Sequence, residues 1–150
     1  MLFRSQITLS YGQVMVVHPS LPAKTLPEFI ALAKKRPGSL HFGSAGVGNI
    51  THLHGEMLMA AANIKITHVP YKGASLAQND LLGGHIEVMF PSISQIGPLI
   101  QSKRVRAIAL GGPVRAPSLP DVPTFAEHGF SQVRSEEHTS ELQSQSTISY

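Results

Sequence analysis

Phe42-Gly43-Ser44-Ala45-Gly46-Val47-Gly48-Asn49 leaves a short apolar stretch and runs into a helix-like segment that begins at Thr51. A strand that ends in glycines and reopens as a helix is the elementary unit of an α/β fold. Gly43, Gly46 and Gly48 let the backbone turn tightly and approach a ligand with no Cβ in the way. Ser44, Asn49 and Thr51 add side-chain donors, and the unpaired N–H groups of the new helix point into the same space, where the helix dipole favours negative charge. Taken alone, this window fits a small-anion or carboxylate site and a turn that binds nothing equally well.

The loop also excludes chemistry. Gly43 and Gly48 have the outer spacing of a phosphate-binding P-loop, but Asn49 and Ile50 stand where that motif needs Lys and then Ser or Thr. No lysine is placed for a terminal phosphate and no hydroxyl for magnesium. The order of the glycines also departs from the dinucleotide fingerprint. Ser44 is flanked at the outer positions by Phe42 and Gly46, so it does not sit in a Gly-x-Ser-x-Gly nucleophile elbow.

Outward from the loop, β-branched apolar runs alternate with helical periodicity. Val14 to Val17 reads as a buried strand closed by His18-Pro19. Thr25 and Glu28 form a capping-box pair, Leu26, Phe29, Ile30 and Ala33 make one apolar face, and Pro37-Gly38 stops that helix. Leu40 to Phe42 is a strand feeding the loop. The next helix is predicted from about Thr51 to Ala62, with Leu53, Met57 and Ala60 or Ala61 inward. Ile64 to Val69 follows as a strand and delivers Pro70-Tyr71-Lys72-Gly73, a second strand-to-helix turn. A short helix carrying Leu76, Asp80, Leu81 and Leu82 ends at Gly83-Gly84, and Ile86 to Phe90 is again a strand. Ile93, Ile96, Leu99 and Ile100 make a further helical face before a strand over 105 to 110. Gly111 to Pro123 reads as an ordered surface loop. Thr124 and Glu127 cap a brief helix ending at Gly129.

The 150 residues suffice for one core, and the formal charge of +3 is scattered. Lys34-Lys35-Arg36 and Lys103-Arg104-Val105-Arg106 follow apolar-periodic segments, where cations complement a helix C-terminus. Without aromatic residues among those charges, nucleic acid is not expected as a partner. There is no cysteine, which excludes disulfides and thiolate sites, and no run is long enough to span a bilayer. His52 has Glu56 four residues on, which predicts a packed, hydrogen-bonded helix histidine rather than a metal ligand. No His-Glu-x-x-His pattern exists, and neither cofactor nor metal is expected.

Several motifs recur together and in order: Gly43-Ser44-Ala45-Gly46-Val47-Gly48-Asn49 with His52-Leu53 and Gly55-Glu56; His68-Val69-Pro70-Tyr71-Lys72-Gly73; Asp80-Leu81-Leu82-Gly83-Gly84; and Leu119-Pro120-Asp121-Val122-Pro123-Thr124. From about Val14 to Phe130 the chain thereby resembles the substrate-binding proteins of tripartite tricarboxylate transporters, the Bug family. The resemblance implies an α/β fold of the type II periplasmic-binding-protein class, with a mostly parallel sheet flanked by helices. It implies a second lobe at about 18–104 with crossover strands at about 14–17 and 105–110. It further implies a periplasmic, monomeric protein that binds a small carboxylate or similar polar solute, passes it to the membrane subunits of the transporter, and neither inserts in the membrane nor catalyses a reaction.

Ser44, Ala45, Gly46, Gly48, Asn49 and Thr51 from the first loop, with Tyr71, Lys72 and Gly73 from the second, are the expected ligand contacts. The family's members are considerably longer, with an export signal and a first-lobe Pro-Gly-Gly loop that has no counterpart in these residues. No signal peptide is read at the N-terminus. Pro91 follows Met89-Phe90 where many relatives carry Asp, so no polar contact is expected there. Arg134 to Ser144 is the in-frame translation of a common sequencing-library adapter, which makes 134–150 an expected non-native tail; a natural polar tail is the alternative. Two other functional classes remain at this level. One is a small α/β enzyme using the glycine loop as a phosphate or oxyanion site, and the other is a protein-interaction module.

Overall fold

A computed structural model describes residues 13–112 and 114–128. The tail expected at 134–150 and the helix stop at Gly129 lie outside these residues. Among the described residues five strands form one sheet: β1 (Val14–Val17), β2 (His41–Ser44), β3 (Thr67–Pro70), β4 (Val88–Met89) and β5 (Arg106–Leu110), in the order β3-β2-β4-β1-β5. Four α-helices, α1 (Leu26–Lys35), α2 (Ile50–Ala62), α3 (Ala74–Leu82) and α4 (Ile93–Gln101), alternate with the strands, and a 3₁₀ turn spans Ala126–His128.

The sheet is mixed. β2 runs parallel to both β3 and β4, whereas β1 runs antiparallel to β4 and to β5. Four of the five strands share a direction, as a mostly parallel sheet requires, and the antiparallel ladders arise because β1 lies between β4 and β5 and opposes both. β1 and β5 are joined by a register shift between Met15 and Val16.

All four residues of β1 are buried, because both faces of the sheet are covered. Met15 and Val17 point into one core with Leu26, Phe29, Phe42, Leu58, Phe90 and Ile108, beneath α1 and α2. Val14 and Val16 point into the other with Ala77, Leu81, Ile86, Met89 and Ile96, beneath α3 and α4. Period-2 alternation thus explains why a continuous apolar run, with no polar face, is a strand here.

The capping boxes hold. The Thr25 hydroxyl accepts from Glu28 N, and Glu28 reaches back to Lys24 N at 2.8 Å. At Thr124 the box is fully reciprocal: Glu127 N donates to Thr124 Oγ1 at 3.1 Å, and Thr124 N itself donates to Glu127 Oε2 at 3.2 Å. The inward face of α2 differs from the periodicity. Thr51, His54, Gly55, Leu58 and Ala62 are buried, while Leu53 is exposed. Small and polar residues face inward because the Phe42 ring occupies the space beneath them: a Cβ on Gly55 would overlap Cε2 and Cζ of that ring. The strand expected over 64–69 starts later, at Thr67, after Ile64 and Ile66 have packed into the core from irregular backbone.

One cation is fully engaged in holding the fold. Arg106 Nη1 donates to the carbonyls of Leu21 and Ala23 at 3.1 Å, and Nη2 to Pro19 at 3.4 Å. It ties the β1–α1 connection to β5 rather than facing a polyanion.

Candidate functional site

Because β2 and β3 are parallel neighbours with Ser44 opposite Pro70, both connections that follow them leave the same edge of the sheet. Ligands of open α/β sheets collect at that carboxyl edge. Tyr71 N donates to the Ser44 carbonyl at 3.0 Å, which ties the two loops side by side. Gly43 permits this closeness, since a Cβ there would lie 2.5 Å from Ile86 Cδ1 and 3.2 Å from Tyr71 Cε1. Gly46 and Gly48 adopt φ of +146° and +82°, values that favour glycine.

Within the first loop the amides are largely bonded to the loop's own side chains. Ala45 N donates to Thr51 Oγ1 at 3.0 Å, Gly46 N to Ser44 Oγ at 3.1 Å, and Gly48 N to His52 Nδ1 at 3.0 Å. Asn49 N donates to the Gly46 carbonyl at 3.1 Å. Asn49 Oδ1 caps α2 by accepting from Thr51 N at 3.0 Å and from the Thr51 hydroxyl at 2.9 Å. Among the described residues, the amides of Val47 and Ile50 find no acceptor and stand as the open donors of the loop. Val47 and Asn49 are exposed, whereas the Ser44 side chain is fully buried and Thr51 nearly so.

A stack of imidazoles lies under the loop. His52 and His68 face each other with centroids 3.9 Å apart and planes 5° from parallel, and Phe42 lies 5.0 Å from His68. His68 Nε2 is 2.6 Å from Ser44 Oγ. His52 Nε2 faces Glu56 Oε2 at 3.2 Å, the pairing that their spacing predicts. Burial, and then the neighbouring His52, hold His68 below the ordinary imidazole range, while Glu56 acts in the opposite direction. His68 carried no signal of its own in the sequence, because it meets His52 only through β2–β3 pairing.

In the second loop, the Tyr71 hydroxyl donates to Asp80 Oδ2 at 2.6 Å, fastening the loop to α3. Burial and this bond push the phenol up to about 12. Asp80 is thereby engaged with Tyr71. Lys72 is exposed, and Gly73 precedes the first turn of α3. The expected contact residues thus gather at one edge, but Ser44 and Thr51 face inward as acceptors for loop amides. A surface depression lined by Lys34, Asn63 and Lys65 lies at the far end of α2, away from both loops. Among the described residues, no three His, Asp or Glu side chains come together to hold a metal, and no helix is long and apolar enough to cross a membrane.

The family model of the tripartite tricarboxylate transporter family receptor matches residues 5–141. A protein encoded in the tcbD-tcbE intergenic region of Pseudomonas sp. strain P51 is 40% identical over 114 residues, which cover 76% of this chain and 34% of the relative. A solved periplasmic transporter superposes with a TM-score of 0.80 at 40% identity, over 83% of this chain and 41% of its own. Rpa4515 of R. palustris, solved with adipate, superposes with a TM-score of 0.77 at 30% identity, over 80% of this chain and 40% of its own. The chain therefore spans about a third of the length of the curated relative it matches.

Proposed function

Because the chain belongs to the tripartite tricarboxylate transporter receptor family, we propose that it is one lobe of a periplasmic solute receptor that captures a small carboxylate for the transporter's membrane subunits. The observation that carries this reading is the pairing of two strand-to-helix loops at one sheet edge, joined by the 3.0 Å bond from Tyr71 N to the Ser44 carbonyl. In this reading the open amides of Val47 and Ile50 and the exposed Lys72 ammonium serve one ligand carboxylate. Aligned amides at a helix start hold an anion without an arginine clamp. The adipate held by the R. palustris relative has the matching chemistry, a short chain ending in carboxylates.

In this reading the ligand carboxylate meets the segment from Ala45 to Asn49 and the turn formed by Tyr71, Lys72 and Gly73. Ser44 and Thr51 shape that segment from below. The protein acts as a monomeric binder and not as an enzyme: Ser44 Oγ, although 2.6 Å from His68 Nε2, is fully buried and accepts the Gly46 amide, so it faces away from any ligand at the loop surface. The lobe occupies about 18–104, and 14–17 with 105–110 cross to the other lobe of the receptor.

Amide shifts of the ¹⁵N-labelled chain, followed during titration with adipate and with its neutral diamide, test the reading. Adipate is expected to move Gly46, Val47, Gly48, Ile50 and Lys72, the diamide to leave them in place, and Ser44→Ala with Gly46→Val to abolish the response. Equal responses to acid and diamide, or responses confined to other surfaces, would overturn it.

A further inference from the structure

The two contacts of His52 define its tautomer. A carboxylate only accepts, so Nε2 carries the proton that faces Glu56 Oε2 at 3.2 Å. Nδ1 receives the Gly48 amide at 3.0 Å and therefore carries none. Only the neutral imidazole satisfies both partners. A proton added to Nδ1 turns the acceptor into a donor, and the Gly48 N–H loses its partner.

The surroundings limit the pair to one such proton. From β3, His68 lies ring over ring at 3.9 Å, where a second cation is repelled. From α2, Glu56 is the carboxylate that faces the pair. From β2, the pair meets Phe42 and Ser44, neither of which is charged. His68 is also committed to the Ser44 hydroxyl, itself the acceptor for the Gly46 amide. Two loop amides thus end on this one cluster.

We propose that His52 is the positioning residue of the glycine loop, and that uptake of a single proton on its Nδ1 frees the Gly48 amide for an anionic ligand, with His68 stacked beneath to exclude a second proton. The ligand half of this statement rests on the carboxylate reading; the link between proton and amide does not. Acidification converts a loop bonded to itself into one with an additional open donor and a cation behind it. Carboxylate affinity then rises as the pH falls, and binding takes up a proton.

The test uses the full chain without ligand first. Imidazole ¹⁵N shifts are expected to report the Nε2–H tautomer of His52 at pH 8, and the Gly48 amide shift to follow the protonation of His52 step for step. His52→Gln supplies a carbonyl that accepts the same amide and does not titrate, so its Gly48 profile is expected to be flat. A Gly48 amide indifferent to His52 protonation, or an Nδ1–H tautomer, overturns the proposal. Calorimetry with adipate at pH 7.5 and 6, above most of the carboxylate range, follows. Affinity is expected to rise about threefold or more in the wild type and to stay level in His52→Gln. Level affinity in both overturns the proton linkage. Should adipate fail to bind at either pH while Gly48 still tracks His52, the carboxylate reading falls and the proton-to-amide link stands.

Discussion

The ring of Phe42 on β2 lies directly beneath Gly55 of α2, so close that any Cβ at Gly55 would overlap it. This contact brings the start of α2 down onto the end of β2, and the glycine loop is the short connection between them. Gly55→Ala is expected to destabilise the fold by about 3 kcal/mol despite the better helix propensity of alanine, because the overlap is with a fully buried ring. Chemical denaturation measures it. Phe42→Leu is expected to recover part of the loss in the double variant, giving a clear coupling energy between the two sites.

His54, on the same helix, is buried and held near pKa 4 by desolvation. The sign follows from linkage: the unfolded chain takes up this proton at about 6.5 and the folded chain does not until about 4. Its contribution is complete above the unfolded value and is lost as pH falls between the two. Stability is expected to drop by about 3 kcal/mol across that window. His54→Leu is expected to flatten this acid limb, and denaturant midpoints between pH 7.5 and 4 provide the measurement.

The Tyr71 phenol, at about 12, is expected to ionise well above the ordinary tyrosine value near 10 in an ultraviolet titration. Asp80→Asn removes the acceptor charge and brings that step down toward the ordinary value near 10. Here the folded value is raised, so stability is intact below the unfolded value and is lost as pH climbs through the folded one. An Asp80→Asn chain whose tyrosine steps are unchanged would show that the 2.6 Å bond does not persist in solution.

Arg106→Gln is expected to cost about 2 kcal/mol, since it leaves the carbonyls of Leu21 and Ala23 without their charged donor. Arg104→Gln, at an exposed position in the same basic cluster, is expected to change little. Thermal melts of the two variants separate a fold-holding cation from a solvated one. Nucleic-acid binding is not expected to distinguish them.

Much of the architecture was legible because it is local. Val14 to Val17 had to be a strand buried on both faces, and Thr25 with Glu28, and Thr124 with Glu127, had to start helical turns, since the partners lie within one turn of each other. The cap of α2, Asn49, also bonds within two residues of itself. The inward face of α2 was not, because apolar periodicity offered Leu53 and Met57 while the ring of Phe42 selected Gly55 instead.

What the sequence determined by itself was the succession of strand, glycine loop and helix, and with it the family. Those depend on backbone freedom, capping and side-chain period, which act over a few residues. What only the tertiary structure decided was the direction of β1 and the internal bonding of the glycine loop. Ser44, His52 and His68 converge because parallel pairing of β2 with β3 and the fold-back of α2 bring distant positions within hydrogen-bond and stacking distance. No spacing along the chain encodes that meeting; it arises from the packing of α2 over Phe42.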